Sequence, residues 1–94
     1  MNVDINKQKM RTILETFEII TSKGIKLNNV YQHGEMRAWH DFDGYVCWLS
    51  YKDLTITLLF HGKYQLDYQN NQTVADFFKR SAQLISDENT MRDS

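Results

Sequence analysis

From Asp4 to Lys23 the apolar residues Met10, Ile13, Leu14, Phe17 and Ile20 recur at intervals of three and four, which places them on one stripe of an amphipathic helix. Asp4 is positioned to cap its start and Gly24 to end it in a left-handed conformation. Arg11 and Glu15 stand four apart off that stripe, where they would pair on the solvent side. Over residues 25–68 the pattern changes to alternation, with turn signals at Gly34-Glu35, Asp43-Gly44, Lys52-Asp53 and Gly62-Lys63. These divide the segment into five short strands near 28–33, 36–42, 45–51, 54–61 and 64–68. No proline interrupts the ladder. Thr73 followed by Asp76 forms a variant capping box, after which Val74, Phe77, Phe78, Ala82 and Ile85 fall largely on one face of a second helix. The expected architecture is α+β: an N-terminal helix, a five-stranded antiparallel meander and a C-terminal helix in two layers. The expected domain spans residues 1–86, with a polar, aperiodic and disordered tail over 87–94.

The turns also predict a register. If Asp43-Gly44 and Lys52-Asp53 are two-residue turns, one face collects Met36, Ala38, His40 and Phe42, then Tyr45, Cys47, Leu49 and Tyr51, then Leu54, Ile56, Leu58 and Phe60. Agreement across two separate turns is informative, because a slip of one residue inverts a strand's whole pattern. That face should carry the helices. The opposite face holds Arg37, Trp39 and Asp41, then Val46, Trp48 and Ser50, then Thr55, Thr57 and Leu59, with Trp39 directly across from Trp48. A cross-strand aromatic pair contributes roughly 0.2–1 kcal/mol, too little by itself to offset two exposed indoles. A two-residue Gly62-Lys63 turn would add Tyr64, Leu66 and Tyr68 to the tryptophan face, whereas a bulge or a three-residue turn would send them to the helix side. Helices on opposite faces would cover the tryptophans. Helices on one face would leave an apolar patch of the kind that marks interaction sites.

Ninety-four residues suffice for one domain with two packed layers. At 41% hydrophobic and with a net charge of -1 the chain is too apolar and too weakly charged to be disordered. Eleven basic residues against twelve acidic ones, scattered along the chain, provide no field to attract phosphates. The lone Cys47 cannot form an internal disulfide, the N-terminus lacks the apolar core of a secretory signal, and no apolar run approaches the ~20 residues needed to cross a bilayer. A reducing cytoplasm is the expected location, without membrane association.

Chemistry-bearing residues are few. His40 beside Cys47 is the one nucleophile and base pair that the register brings together, and with Tyr45 it outlines an alternative small-ligand or enzyme pocket between sheet and helix. A thiol in the middle strand beneath a helix layer would have its pKa raised by desolvation, so a packed cysteine is the simpler reading. His40 and Cys47 give only two of the three or four ligands a metal needs, with Asp41 on the other face and His33 one strand away. Asp43 reads as a turn residue rather than half of a carboxylate pair, and His61 as a strand-end residue meeting solvent. The glycines at 24, 34, 44 and 62 are too dispersed to cradle phosphate. No catalytic residue, metal or cofactor is therefore predicted. Trp39, Trp48, Tyr64 and Tyr68 could stack bases, but only Arg37 and Lys63 stand near that face, so nucleic acid is poorly supported.

The segment Asp41-Phe42-Asp43-Gly44-Tyr45, followed by Leu58-Leu59-Phe60-His61-Gly62-Lys63-Tyr64 and Asp67-Tyr68, resembles a family of short uncharacterised bacterial proteins, a domain of unknown function. The resemblance runs from the first helix through the fifth strand and implies a small cytoplasmic protein with no catalytic residue to carry over. The expected function is a non-enzymatic interaction module. Its surface for a homodimer or a protein partner would be the tryptophan face, anchored by Trp39 and Trp48 with Val46, Leu59 and Tyr68 around them.

Overall fold

The computed structural model describes residues 5–59 and 62–92. Helix α1 (Ile5–Lys23) leads into a meander of β1 (Ile25–Leu27), β2 (Val30–His33), β3 (Met36–His40), β4 (Cys47–Tyr51), β5 (Leu54–Leu59) and β6 (Lys63–Asp67), and helix α2 (Asn71–Arg92) follows. All neighbours in the sheet are antiparallel and the spatial order is the chain order. The sheet thus has six strands where five were expected. The strand expected near 28–33 is β2, shortened at its start, and the additional strand β1 precedes it across a turn at Asn28-Asn29, where both residues have positive φ (52° and 67°) and Leu27 pairs with Val30. Asparagine tolerates that conformation, and two successive positive φ values give the twist that a two-residue hairpin requires.

The predicted register of the central strands is the observed one. Met36 pairs with Tyr51, Ala38 with Leu49 and Trp39 with Trp48, and Leu49 with Ile56 and Cys47 with Leu58. The middle of the expected helix face forms the core: Met36, Ala38, Leu49, Tyr51, Leu54, Ile56 and Leu58 are buried against Ile13, Ile20 and Phe77 of the helices. Its outer end does not. The β3–β4 connection is a longer loop, with Asp41 N–H donating to Val46 O (3.0 Å) and Gly44 N–H donating to Asp41 O (3.1 Å). That turn lifts Phe42 and Tyr45 off the sheet, leaving them 102% and 62% exposed. Phe60 and His61 lie outside the described residues.

The β5–β6 register resolves the open alternative. Leu59 pairs with Lys63 and Ile56 with Leu66 across the three-residue connection 60–62, whose last residue, Gly62, has φ 73°. A glycine in that conformation at the third position is a standard way to close such a loop. Tyr64 and Leu66 therefore pack against the core from the helix side.

Both helices cover this one face. Lys9 of α1 lies over the Phe78 ring of α2 (5.8 Å to the centroid), and Lys23 pairs with Glu88 (3.4 Å), so the helices lie side by side and run the same way. Within α1 the stripe is rotated from the expected one: Leu14 is 45% exposed, while Thr16 is fully buried with its hydroxyl donating to Thr12 O at 2.7 Å. That internal hydrogen bond removes the penalty of burying the hydroxyl. Gly24 is absent from the positive-φ residues and ends the helix by close approach instead. A Cβ there would lie 2.4 Å from Ile20 O and 2.8 Å from Gln32 O of β2. The Arg11–Glu15 pair forms at 3.5 Å on the exposed side. Asp4 lies outside the described residues.

The start of α2 is held by a residue that reads in sequence only as a turn former. Asp53 accepts hydrogen bonds from Gln69 N–H (2.9 Å), Asn70 N–H (2.8 Å) and the Thr73 hydroxyl. The cap of α2 is Asn70 rather than Thr73, since Asn70 Oδ1 accepts from Gln72 N–H at 2.9 Å. One turn on, the buried Tyr51 donates its hydroxyl to Asp76, which Arg80 (3.5 Å) and Lys52 (3.7 Å) also approach. The helix then continues to Arg92, past the expected end near residue 86.

These three hydrogen bonds, the Thr73 hydroxyl foremost and the Asn70 and Gln69 amides after it, lower the Asp53 pKa from 3.8 to about 2. A carboxylate with a folded pKa below its unfolded value stabilises the fold above the unfolded pKa and loses that contribution as pH falls through the folded one. Urea unfolding of the parent should thus show stability declining as pH drops from 3.8 towards 2. Asp53→Asn should be less stable at neutral pH and decline less steeply across that window; parallel curves for the two proteins would contradict the clamp.

Candidate functional site

The face opposite the helices is built by strand alternation alone. Its central feature is the Trp39–Trp48 pair, stacked with ring centroids 6.0 Å apart and planes inclined by 15°. Both indoles are half-buried. The β2–β3 register, continued by one residue, sets Val30 against Trp39, and Leu27 stands against Val30. On the other side Val46 and Leu59 lie one position beyond the Cys47–Leu58 pair. An apolar stripe therefore crosses the sheet diagonally through Leu27, Val30, Trp39, Trp48, Val46 and Leu59. Leu27 is 72% exposed on the edge strand, and Ile25, on the same face, is 77% exposed.

Its borders are polar. Arg37, Gln32 and Ser50 flank the tryptophans on one side, and β6 contributes Lys63, Gln65 and Asp67. Asp41 sits at the other end, its carboxylate accepting from Val46 N–H at 3.3 Å. An indole carries roughly 150–250 Å² of surface. Most of each indole is already buried within the chain, so covering the remainder of one would contribute at most about 2 kcal/mol at ~25 cal/mol per Å², still above the roughly 0.2–1 kcal/mol of the cross-strand pair.

Of the five residues expected to form this surface, Trp39, Trp48, Val46 and Leu59 come together. Tyr68 does not. It lies past the end of β6 on the parity of Tyr64 and Leu66, because the three-residue turn inverts the register that would have brought it to this face. Sequence reasoning missed Leu27, Ile25 and Val30, which join the face only because Asn28-Asn29 folds a further edge strand. The paired asparagines were the available signal.

The alternative trio stands at the open end of the sheet. His40 and Cys47 are register partners, but His40 is exposed and its Nδ1 lies 2.8 Å from Asp41 O, which makes Nδ1 the protonated nitrogen. Tyr45 is exposed in the loop, and Cys47 is half-buried. Burial, and then the nearby Asp41 carboxylate, raise the Cys47 pKa, the reverse of what a nucleophilic thiol needs. Among the described residues no group of three or more His, Cys, Asp or Glu side chains could hold a metal ion, and no helix is long and apolar enough to cross a membrane.

The chain belongs to the family described as protein of unknown function (DUF3081), whose model matches residues 8–91. This agrees with the resemblance seen in its loop and strand motifs. No curated protein and no solved structure matches it.

The thiol provides a direct check on the site chemistry. In the native protein Cys47 should react with a disulfide reagent more slowly than free cysteine at pH 8, with a rate still rising above the ordinary thiol pKa. Rapid labelling at pH 7 would instead reveal an activated cysteine.

Proposed function

We propose that this member of the DUF3081 family is a non-enzymatic interaction module that uses the tryptophan-bearing sheet face for self-association or protein binding. The observation that carries this reading is that both helices pack on one side of the sheet, leaving the half-buried, stacked Trp39–Trp48 pair and its aliphatic neighbours on the other with no element of the described residues packed across them. Contiguous exposed apolar surface rimmed by polar groups is the ordinary signature of a binding face, and large rigid aromatics near its centre are the usual energetic anchors. Base stacking is the weaker reading. The charged residues on this face are Arg37 and Lys63 against Asp41 and Asp67, a balance that offers phosphates no net attraction.

Trp48→Ala tests the proposal. The variant should weaken self-association at least tenfold, about 1.4 kcal/mol. Loss of the cross-strand pair should lower the thermal midpoint by less than about 8 °C. Light scattering and thermal melts of parent and variant separate the two effects. Unchanged association with collapsed stability would make Trp48 a structural residue and remove the proposal.

A further inference from the structure

The tryptophan face has a symmetry in its charges that is specific enough to name its occupant. Across β3 to β6 the face consists of three rows. The middle row runs through Trp39, Trp48, Thr57 and Gln65; one flanking row holds Arg37, Ser50, Thr55 and Asp67; the other holds Asp41, Val46, Leu59 and Lys63. Resting on the reading of this face as an interaction surface, we infer that its partner is a second copy of the chain, related by a two-fold axis lying along the middle row.

Rotation by 180° about that axis keeps each strand over its own counterpart and exchanges the flanking rows. Arg37 then meets Asp41 of the second copy, and Asp67 meets Lys63 of the second copy. Every charge on these rows finds the opposite sign, each contact is made twice, and the tryptophans meet their own counterparts along the axis. An isologous contact requires this self-complementarity. A two-fold axis parallel to the strands and centred on the tryptophan pair lacks it: Asp41 would lie over Val46 of the second copy and Asp67 over Ile25, desolvating carboxylates against aliphatic side chains. Aligned sheets pack at about 30°, which displaces the flanking positions by roughly 4 Å at β3 and roughly 7 Å at the edge strand β6, distances that the long Arg37 and Lys63 side chains span.

The size of the face bounds the contact. Six strands about 4.8 Å apart and about 17 Å long present roughly 400 Å² of flat sheet. Side-chain relief brings the accessible area towards, but not beyond, the ~800 Å² per partner of a standard interface. The dimer should accordingly dissociate on dilution. The 41–46 loop, with its fully exposed Phe42, would project towards the end of the partner's face where Ile25, Gln32, Gly34 and Arg37 border a shallow groove.

Charge reversal tests the arrangement. Arg37→Asp places like charges opposite Asp41, and Asp41→Arg places them opposite Arg37, so each variant alone should dimerise at least tenfold more weakly, about 1.4 kcal/mol. An equimolar mixture of the two should form heterodimers with affinity restored to within about threefold of the parent, since both contacts are again of opposite sign. Lys63→Asp and Asp67→Lys form an independent pair on exposed residues, free of the hydrogen bond Asp41 makes within its loop. Sedimentation equilibrium reads the mass, and circular dichroism melts verify that each variant is folded. Single variants as tight as the parent, or mixtures that fail to restore association in both pairs, would overturn the two-fold arrangement. If Trp48→Ala abolishes dimers while the charge reversals leave them intact, the face is retained and this geometry falls; if neither has an effect, both fall.

Discussion

A single carboxylate, Asp53, accepts three hydrogen bonds from the segment that begins α2, and the orientation of the second layer follows from it. Asp53 stands at the tight β4–β5 turn, beside Lys52 with its φ of 53°, in the centre of the sheet rather than at an edge. Tying the first turn of α2 to that point brings Phe77 onto the Tyr51 ring, with centroids 6.1 Å apart, and Asp76 beneath the Tyr51 hydroxyl. The helix is thereby committed to the face that α1 already covers. The other face is left with no element of the described chain packed across it, and its tryptophans acquire their significance from that one-sidedness.

Local pattern was a good guide where local physics decides. Alternation and two turns placed Trp39 opposite Trp48 and assembled the buried set from Met36 to Leu58, because a half-buried sheet tolerates only one parity. Pattern gave less at the ends of strands. Phe42 and Tyr45 share the parity of the core, but the sheet outruns its helix cover at that end and the loop carries them into solvent. The Asn28-Asn29 hairpin encloses strands of three and four residues, too short for alternation to declare them. The β5–β6 turn was ambiguous by one residue, and that residue decided whether Tyr64, Leu66 and Tyr68 would enlarge the tryptophan face or the core.

The Asp53 clamp was illegible for a different reason. It joins residues sixteen to twenty apart in sequence through side-chain and backbone groups whose types are common in any turn. No periodicity records such a contact. The candidate face was legible in its centre and not at its margins: Trp39, Trp48, Val46 and Leu59 follow from the central register, while Leu27, Val30 and Ile25 depend on the extra edge strand. Its charges become informative only when β6 is in place, because Lys63 and Asp67 reach this face through the same three-residue turn that removes the tyrosines from it.

The proposed association would cover the part of the Trp39 and Trp48 indoles that the single chain leaves in solvent. Native mass measured by light scattering through a dilution series, with tryptophan emission recorded on the same samples, tests it most directly. The expected result is a dimer at high concentration whose emission moves to the red as it dissociates. A monomer at every concentration with constant blue emission would contradict it, since the tryptophans would then be covered by their own chain.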